Sequence, residues 1–140
     1  MGDFDEEIEK ILQNIEKKEY LELKNFEANR DIAIENIFKR FMRYERNIEN
    51  KKKAYETLKT YRAVMPEDLK KGDCVSYLNT REFYDIQLCY GGKFLGFSKA
   101  GDIIVSRGMF IFTIQPTIFF IKITNKDIVK IKLMELVDKL

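Results

Sequence analysis

The sequence predicts an α+β protein: a long N-terminal helical arm, of one or two helices, followed by a small antiparallel β barrel or sandwich. Three observations point there. From Asp3 to Met65 there is neither Gly nor Pro, and the stretch is rich in Glu, Lys, Ile, Leu, Arg and Asn, residues that sustain helix. Beyond Pro66, short runs rich in Val, Ile, Phe and Tyr alternate with Gly-, Asn- and Asp-bearing turn signals. Between the two halves the apolar spacing also changes, from helical steps of three and four to strand-like alternation. The predicted division is a helical, coiled-coil-like arm over 1–65 and a β domain over 66–140 that ends in a strand or a short helix.

Within the arm, Phe4, Ile8, Ile11 and Ile15 follow the 4-3-4 spacing of a coiled-coil seam. Glu16-Lys17-Lys18-Glu19 interrupts it. A second phase runs through Tyr20, Leu23, Ile34, Ile37, Phe41, Tyr44 and Ile48 to Tyr55 and Leu58, with Glu27 and Arg30 weakening the stripe between. One unbroken helix would reach roughly 95 Å at 1.5 Å per residue. The change of phase favours two helices instead, about 3–28 and 31–62, with Asp31 placed to cap the second.

Lys39, Arg40, Arg43 and Arg46 form a basic cluster in which Lys39, Arg43 and Arg46 would share one helix face. Residues 30–62 hold ten basic and five acidic side chains. Clustered cations suit phosphate, but a solvated helix face, or one pairing with the acidic residues 3–9, looks the same and is the preferred reading. Phe38, Phe41 and Tyr44 lie on the apolar stripe and read as packing residues.

In the second half, Met65-Pro66 ends the helical region, because proline biases its predecessor away from helical dihedrals. Strands are predicted at Cys74–Leu78, Phe83–Tyr90, Lys93–Ser98, Ile103–Ser106, Met109–Ile114 and Thr117–Ile123, with Gly91-Gly92 as a hairpin turn. Tyr84, Ile86, Leu88 and Tyr90 alternate with polar residues, as in a half-buried strand. Met109–Phe112 and Ile118–Ile121 are apolar at every position, so both of their faces want cover. That cover is the helical arm or the C-terminal segment, or another subunit through Phe110, Phe112, Phe119 and Phe120, and the two readings are compatible. The tail from Ile128 alternates like an edge strand up to Leu133, and fits a short helix from Met134.

Chemistry is sparse. The chain has no His, so the histidine-based triads and common metal sites are excluded. Its two cysteines, Cys74 and Cys89, cannot by themselves hold zinc. If their strands pair as a hairpin a disulfide is geometrically open, with two buried free thiols the preferred reading. Asp73, Asp85 and Asp102 fall at strand ends and turns, where Asp serves local hydrogen bonds. Gly91-Gly92-Lys93 lacks the phosphate-loop pattern. The expectation is a non-enzymatic chain with no cofactor and no metal. The formal charge of +2 gives no whole-chain reason to expect nucleic acid. No apolar run is long enough to span a membrane, and the acidic N-terminus is no secretory signal.

Leu69-Lys70-Lys71-Gly72-Asp73, Val75–Asn79, Phe83–Leu88, Gly91–Phe94, Ile118–Ile123 and Leu133-Met134-Glu135 together resemble short proteins encoded by large nucleocytoplasmic DNA viruses. The resemblance covers residues 66–137 and leaves out the arm. Ser76 departs from it, standing where a basic residue is expected. It implies a virion or virus-factory protein in the particle or the host cytoplasm, with other protein subunits as partners and no catalytic role. The function expected is structural: a minor capsid or virion component making protein–protein contacts through the arm seam and the aromatic strands. The alternatives are a nucleic-acid-binding module, with a small SH3- or OB-like barrel and a basic helix, and a surface inhibitor of a host factor.

Overall fold

The computed structural model describes residues 6, 7, 10, 23–116 and 118–139. The chain divides into two compact units. Residues 27–122 form one, and the segment from Ile123 with the described residues up to Phe26 forms the other. The predicted boundary at 65/66 is therefore not where the packing divides.

In the larger unit, α1 (Phe26–Phe38) buries Arg30, Ala33, Ile34 and Phe38. These positions are three and four apart, so they fall on one face of a 3.6-residue helix. The helix runs straight through Asn29-Arg30-Asp31, where a break was expected. The chain turns instead at Lys39–Tyr44 and re-enters helix as α2 (Glu45–Thr57), which buries Asn47 and Ala54. The two helices form an antiparallel hairpin. Glu35 accepts from Lys51 Nζ at 2.9 Å and from the Tyr55 hydroxyl at 2.6 Å, while Arg30 Nη1 donates to the Lys59 carbonyl at 2.7 Å. The Lys51 hydrogen bond, with that of Tyr55, holds the Glu35 carboxyl below its ordinary pKa. Burial, then the bond to Glu35, pushes the Tyr55 hydroxyl well above the usual phenol range.

After a 3-10 turn at Leu58–Thr60 come β1 (Tyr61–Val64), a 3-10 turn at Pro66–Asp68, β2 (Cys74–Asn79), β3 (Gln87–Phe97), β4 (Ile103–Arg107), β5 (Phe110–Ile114) and β6 (Phe119–Lys122). They make one antiparallel sheet in the order β1-β6-β2-β3-β4-β5. It is α+β as predicted, but a single open sheet rather than a closed barrel or a two-sheet sandwich.

The sheet cannot be flat. β5 and β6 run in the same direction, four strand spacings apart in the order, which is about 19 Å in a flat sheet before the length of a strand is added. The link from Gln115 to Ile118 can span at most about 18 Å. The sheet therefore curls, and Ile114 on β5 reaches back to Gly91 on β3. A Cβ at Gly91 would lie 3.1 Å from Ile114 Cδ1.

Gly91-Gly92 is not the expected hairpin turn. Both glycines sit inside the eleven-residue β3, and the real bend is the loop Thr80–Ile86. Val75 pairs with Gly92 and Ser76 with Tyr90, so Gly91 is the extra residue of a bulge. Gly92 has φ +123°, and a Cβ there would come within 2.4 Å of the Ser106 carbonyl oxygen. Only glycine lets β4 lie that close.

Curling creates an inside and an outside. Val75, Phe94, Ile103, Val105, Phe119 and Ile121 fill the inside, with Phe112 and Ile114 packed against them. On the outside, Leu78 and Phe120 meet Ile34, Phe38, Ala54 and Leu58 of the helical hairpin. This explains why β6 is apolar as far as Ile121: Phe119 and Ile121 point inward, Phe120 outward to the helices. Each fully buried phenylalanine contributes about 2–3 kcal/mol.

In the smaller unit, α3 (Asn125–Asp138) begins on a capping box. The Thr124 hydroxyl accepts from the Asp127 N–H, and the Asp127 carboxylate accepts from the Thr124 N–H. With both end donors satisfied, helix prevails over the strand alternative from the start of this segment. Met134 is buried on it, as is Leu23, and Lys24 pairs with Asp138 at 3.0 Å.

Candidate functional site

Two surfaces stand out on the larger unit. The first is built on Asn47, which is buried on α2 although its side chain is polar. Its Nδ2 donates to the carbonyls of Phe41 and Phe83, each at 2.8 Å, and its Oδ1 accepts from the Ile86 N–H at 2.9 Å. One side chain thus ties the turn between the helices to the loop between β2 and β3. Both segments carry aromatics, and the tie brings them together. Phe83 stacks on Phe41 with centroids 6.0 Å apart, meets Tyr44 at 5.5 Å, and meets Tyr84 edge-on at 5.9 Å. Phe83 and Tyr84 remain 45% and 47% exposed. The Arg43 guanidinium lies over the Tyr44 ring at 4.9 Å and donates to its hydroxyl.

The edge of this aromatic platform is electrostatically ordered. Asp85 accepts from Asn50 at 2.8 Å, from Gln87 at 3.1 Å and from Arg46 at 3.4 Å. The Asn50 and Gln87 bonds, helped by the Arg46 charge, hold its carboxyl below the usual Asp range. Arg46 is thereby engaged. Lys39, Arg40 and Arg81 are exposed and make no ion pair among the described residues.

The second surface is the hairpin between β4 and β5. Met109, Phe110 and Ile111 are 97%, 76% and 69% exposed, three consecutive large apolar side chains at the free edge of the sheet. Phe112, the next inward-facing residue, is half-buried beneath the Arg107 guanidinium at 4.9 Å. A cleft of about 490 Å³ lies at the open seam of the sheet, lined by Tyr77, Asn79, Arg81, Ile114 and Gln115 among others. Arg81 is its one charged lining residue among those described, and no carboxylate or thiol faces it.

The predicted site residues therefore separate. Phe4, Ile8, Ile11 and Ile15 lie outside the described residues. Phe119 and Phe120 are fully buried within the chain's own packing, so they offer no interface, and Phe112 is half-covered. Phe110 is on the surface as expected. Lys39, Arg40 and Arg43 lie in the turn rather than along one helix face, and Arg46 opens α2. Phe41 and Tyr44 do pack, but as the floor of an exposed ring cluster. Sequence reasoning missed Asn47, Phe83 and Tyr84. An asparagine inside a charged helix carries no local signal, and Phe83-Tyr84 reads as strand until the loop is seen.

Cys74 and Cys89 are free, exposed and half-exposed respectively. Cys74 pairs with Lys93, while Cys89 pairs with Tyr77, three positions along β2 from Cys74. An odd offset puts the two thiols on opposite faces of the sheet and out of bonding reach. Among the described residues no three His, Cys, Asp or Glu side chains gather to hold a metal, and no helix is long and apolar enough to cross a membrane. Compared with known proteins, the chain matches no family model, no curated protein and no solved structure, so its reading rests on its own residues.

Proposed function

We propose that this chain is a non-enzymatic assembly protein that makes protein–protein contacts through the edge strand β5. The observation that carries the reading is the uncovered run Met109-Phe110-Ile111. Three adjacent large apolar side chains in water are unfavourable, and the outer edge of β5 offers unpaired backbone N–H and C=O groups beside them. The sequence of β5, Phe110-Ile111-Phe112-Thr113-Ile114, is self-complementary in an antiparallel sense. Two copies paired about Phe112 would set Phe110 of each opposite Ile114 of the other, an isologous contact of apolar on apolar. The resemblance of residues 66–137 to short proteins of large nucleocytoplasmic DNA viruses supports a minor capsid or virion component as the setting.

Sedimentation velocity on the purified chain and on Ile111→Lys tests this. The reading expects a concentration-dependent dimer or larger species that Ile111→Lys returns to monomer. A wild-type chain that stays monomeric at about 100 µM, well above the micromolar range of weak specific association, would remove it.

A further inference from the structure

The aromatic platform around Phe83 is not explained by assembly through β5, and it lies on a different part of the same unit. The geometry points to a binding site for single-stranded nucleic acid, in which bases stack on Phe83 and Tyr84 and phosphates lie beside Arg43, Arg40 and Lys39.

Four observations carry this. First, the exposed rings are held in place. Asn47 binds backbone groups of Phe41, Phe83 and Ile86, and a buried amide with three such bonds fixes the loops that present the rings. A platform fixed in advance loses little entropy when a base settles on it. Second, Phe83 rests on Phe41 and Tyr44, so its outer surface is the one turned to solvent. Third, the Arg43 guanidinium already lies over Tyr44, 4.9 Å from its centroid, a placement from which arginine adds to an aromatic surface and can reach a phosphate.

Fourth, several cations around the platform make no ion pair among the described residues, in contrast to those nearby. Along the same helical hairpin Arg46 pairs with Asp85, Lys51 with Glu35 and Lys52 with Glu49. Lys39, Arg40 and Arg81, next to the rings in sequence, have no such partner among the described residues. Glu45, Glu82 and the Arg46-paired Asp85 are the acidic neighbours in sequence, and Lys39, Arg40, Arg43 and Arg81 with Arg46 exceed them. Residues 27–122 hold 17 Lys and Arg against 12 Asp and Glu, a surplus the near-neutral whole chain conceals. Cations beside open ring faces suit an unpaired polyanion whose bases are available. In a duplex those faces are already occupied.

The test is fluorescence anisotropy with a labelled thymidine oligonucleotide of about 12 nucleotides, at about 50 and 200 mM salt. Binding is expected at low salt and weaker at high salt. Phe83→Leu keeps an apolar side chain on Phe41 but removes the ring, and Tyr84→Ala removes the second ring; each should weaken binding about tenfold. Arg40→Glu with Arg43→Glu should lower the dependence of log K on log salt by about 0.7 for each phosphate left without its cation. Circular dichroism confirms that each variant is folded. Ile111→Lys, on the β5 edge, should leave binding unchanged, which separates this site from the assembly surface. The inference is overturned by absence of binding at low salt or by equal affinity for the matching duplex. Indifference to both ring substitutions, or equal competition by a glutamate-rich peptide, overturns it as well.

Discussion

The side-chain oxygen of Asn47 accepts the amide N–H of Ile86 at 2.9 Å, across thirty-nine positions of sequence. Its amide nitrogen is spent on the carbonyls of Phe41 and Phe83. Asn47→Ala would leave the buried Ile86 N–H and the part-buried Phe83 carbonyl without this partner, while the Phe41 carbonyl keeps the Tyr44 N–H at 3.3 Å. Each unsatisfied group costs about 1–3 kcal/mol, so a loss of about 3–4 kcal/mol is expected after partial relaxation. Urea unfolding checks it: the midpoint should fall with the slope unchanged. A change below about 1 kcal/mol would mean that the loop and the turn hold themselves.

Phe120 and Phe110 are both phenylalanines on strands, and they should behave oppositely. Phe120→Ala empties a site between the sheet and the helical hairpin and should cost about 3–5 kcal/mol. Phe110→Ala removes a largely exposed ring and should change monomer stability by no more than about 0.5 kcal/mol, while weakening association. Parallel denaturation and sedimentation runs on the two variants read both effects.

Gly92→Ala meets two obstacles together, a positive φ and the Ser106 carbonyl oxygen where its Cβ would be. A destabilisation of about 2–4 kcal/mol is expected. Hydrogen exchange should show the loss of protection concentrated on β3 and β4. A variant as stable as the wild type would contradict the close approach of those strands.

Acid should weaken the protein through Asp85 and Glu35. Both carboxyls have folded pKa values below their ordinary ones, so the folded state binds its protons less readily than the unfolded chain. Their contribution is full above about pH 4–4.5, the unfolded range, and is lost as pH falls through the lower folded values. Thermal melts between about pH 5 and pH 2 should therefore show a falling Tm. Asp85→Asn, which cannot titrate, should show a shallower fall than the wild type. An identical slope for both would exclude Asp85 as a contributor.

The class of each segment was legible in the residues alone. The Gly- and Pro-free first half is helical wherever it is described as far as Thr57, apart from Asn25 and the turn at Lys39–Tyr44, and Pro66 falls after its end. The runs around Phe94, Val105, Phe112 and Phe120 are strands, and the unbroken apolar pattern of Ile118–Ile121 correctly demanded cover on both faces. These are local properties, decided by backbone propensity and by side-chain period within a few residues. The rest depends on pairs far apart in the chain, which only folding brings together. The turn at Lys39–Tyr44 is held by Asn47, whose bond to Phe83 no helical period reveals. Gly91-Gly92 is a bulge rather than a turn because β4 passes over it, and the sheet curls because its last link is too short for a flat one. That curl chose which phenylalanines vanish into the core and which stay in water. The helical arm foreseen from composition proved, within residues 27–57, to be the outer cover of the sheet. Phe110, left in water at the sheet edge, and Phe83, resting on Phe41 and Tyr44 with its outer side open, are the surfaces on which function is proposed.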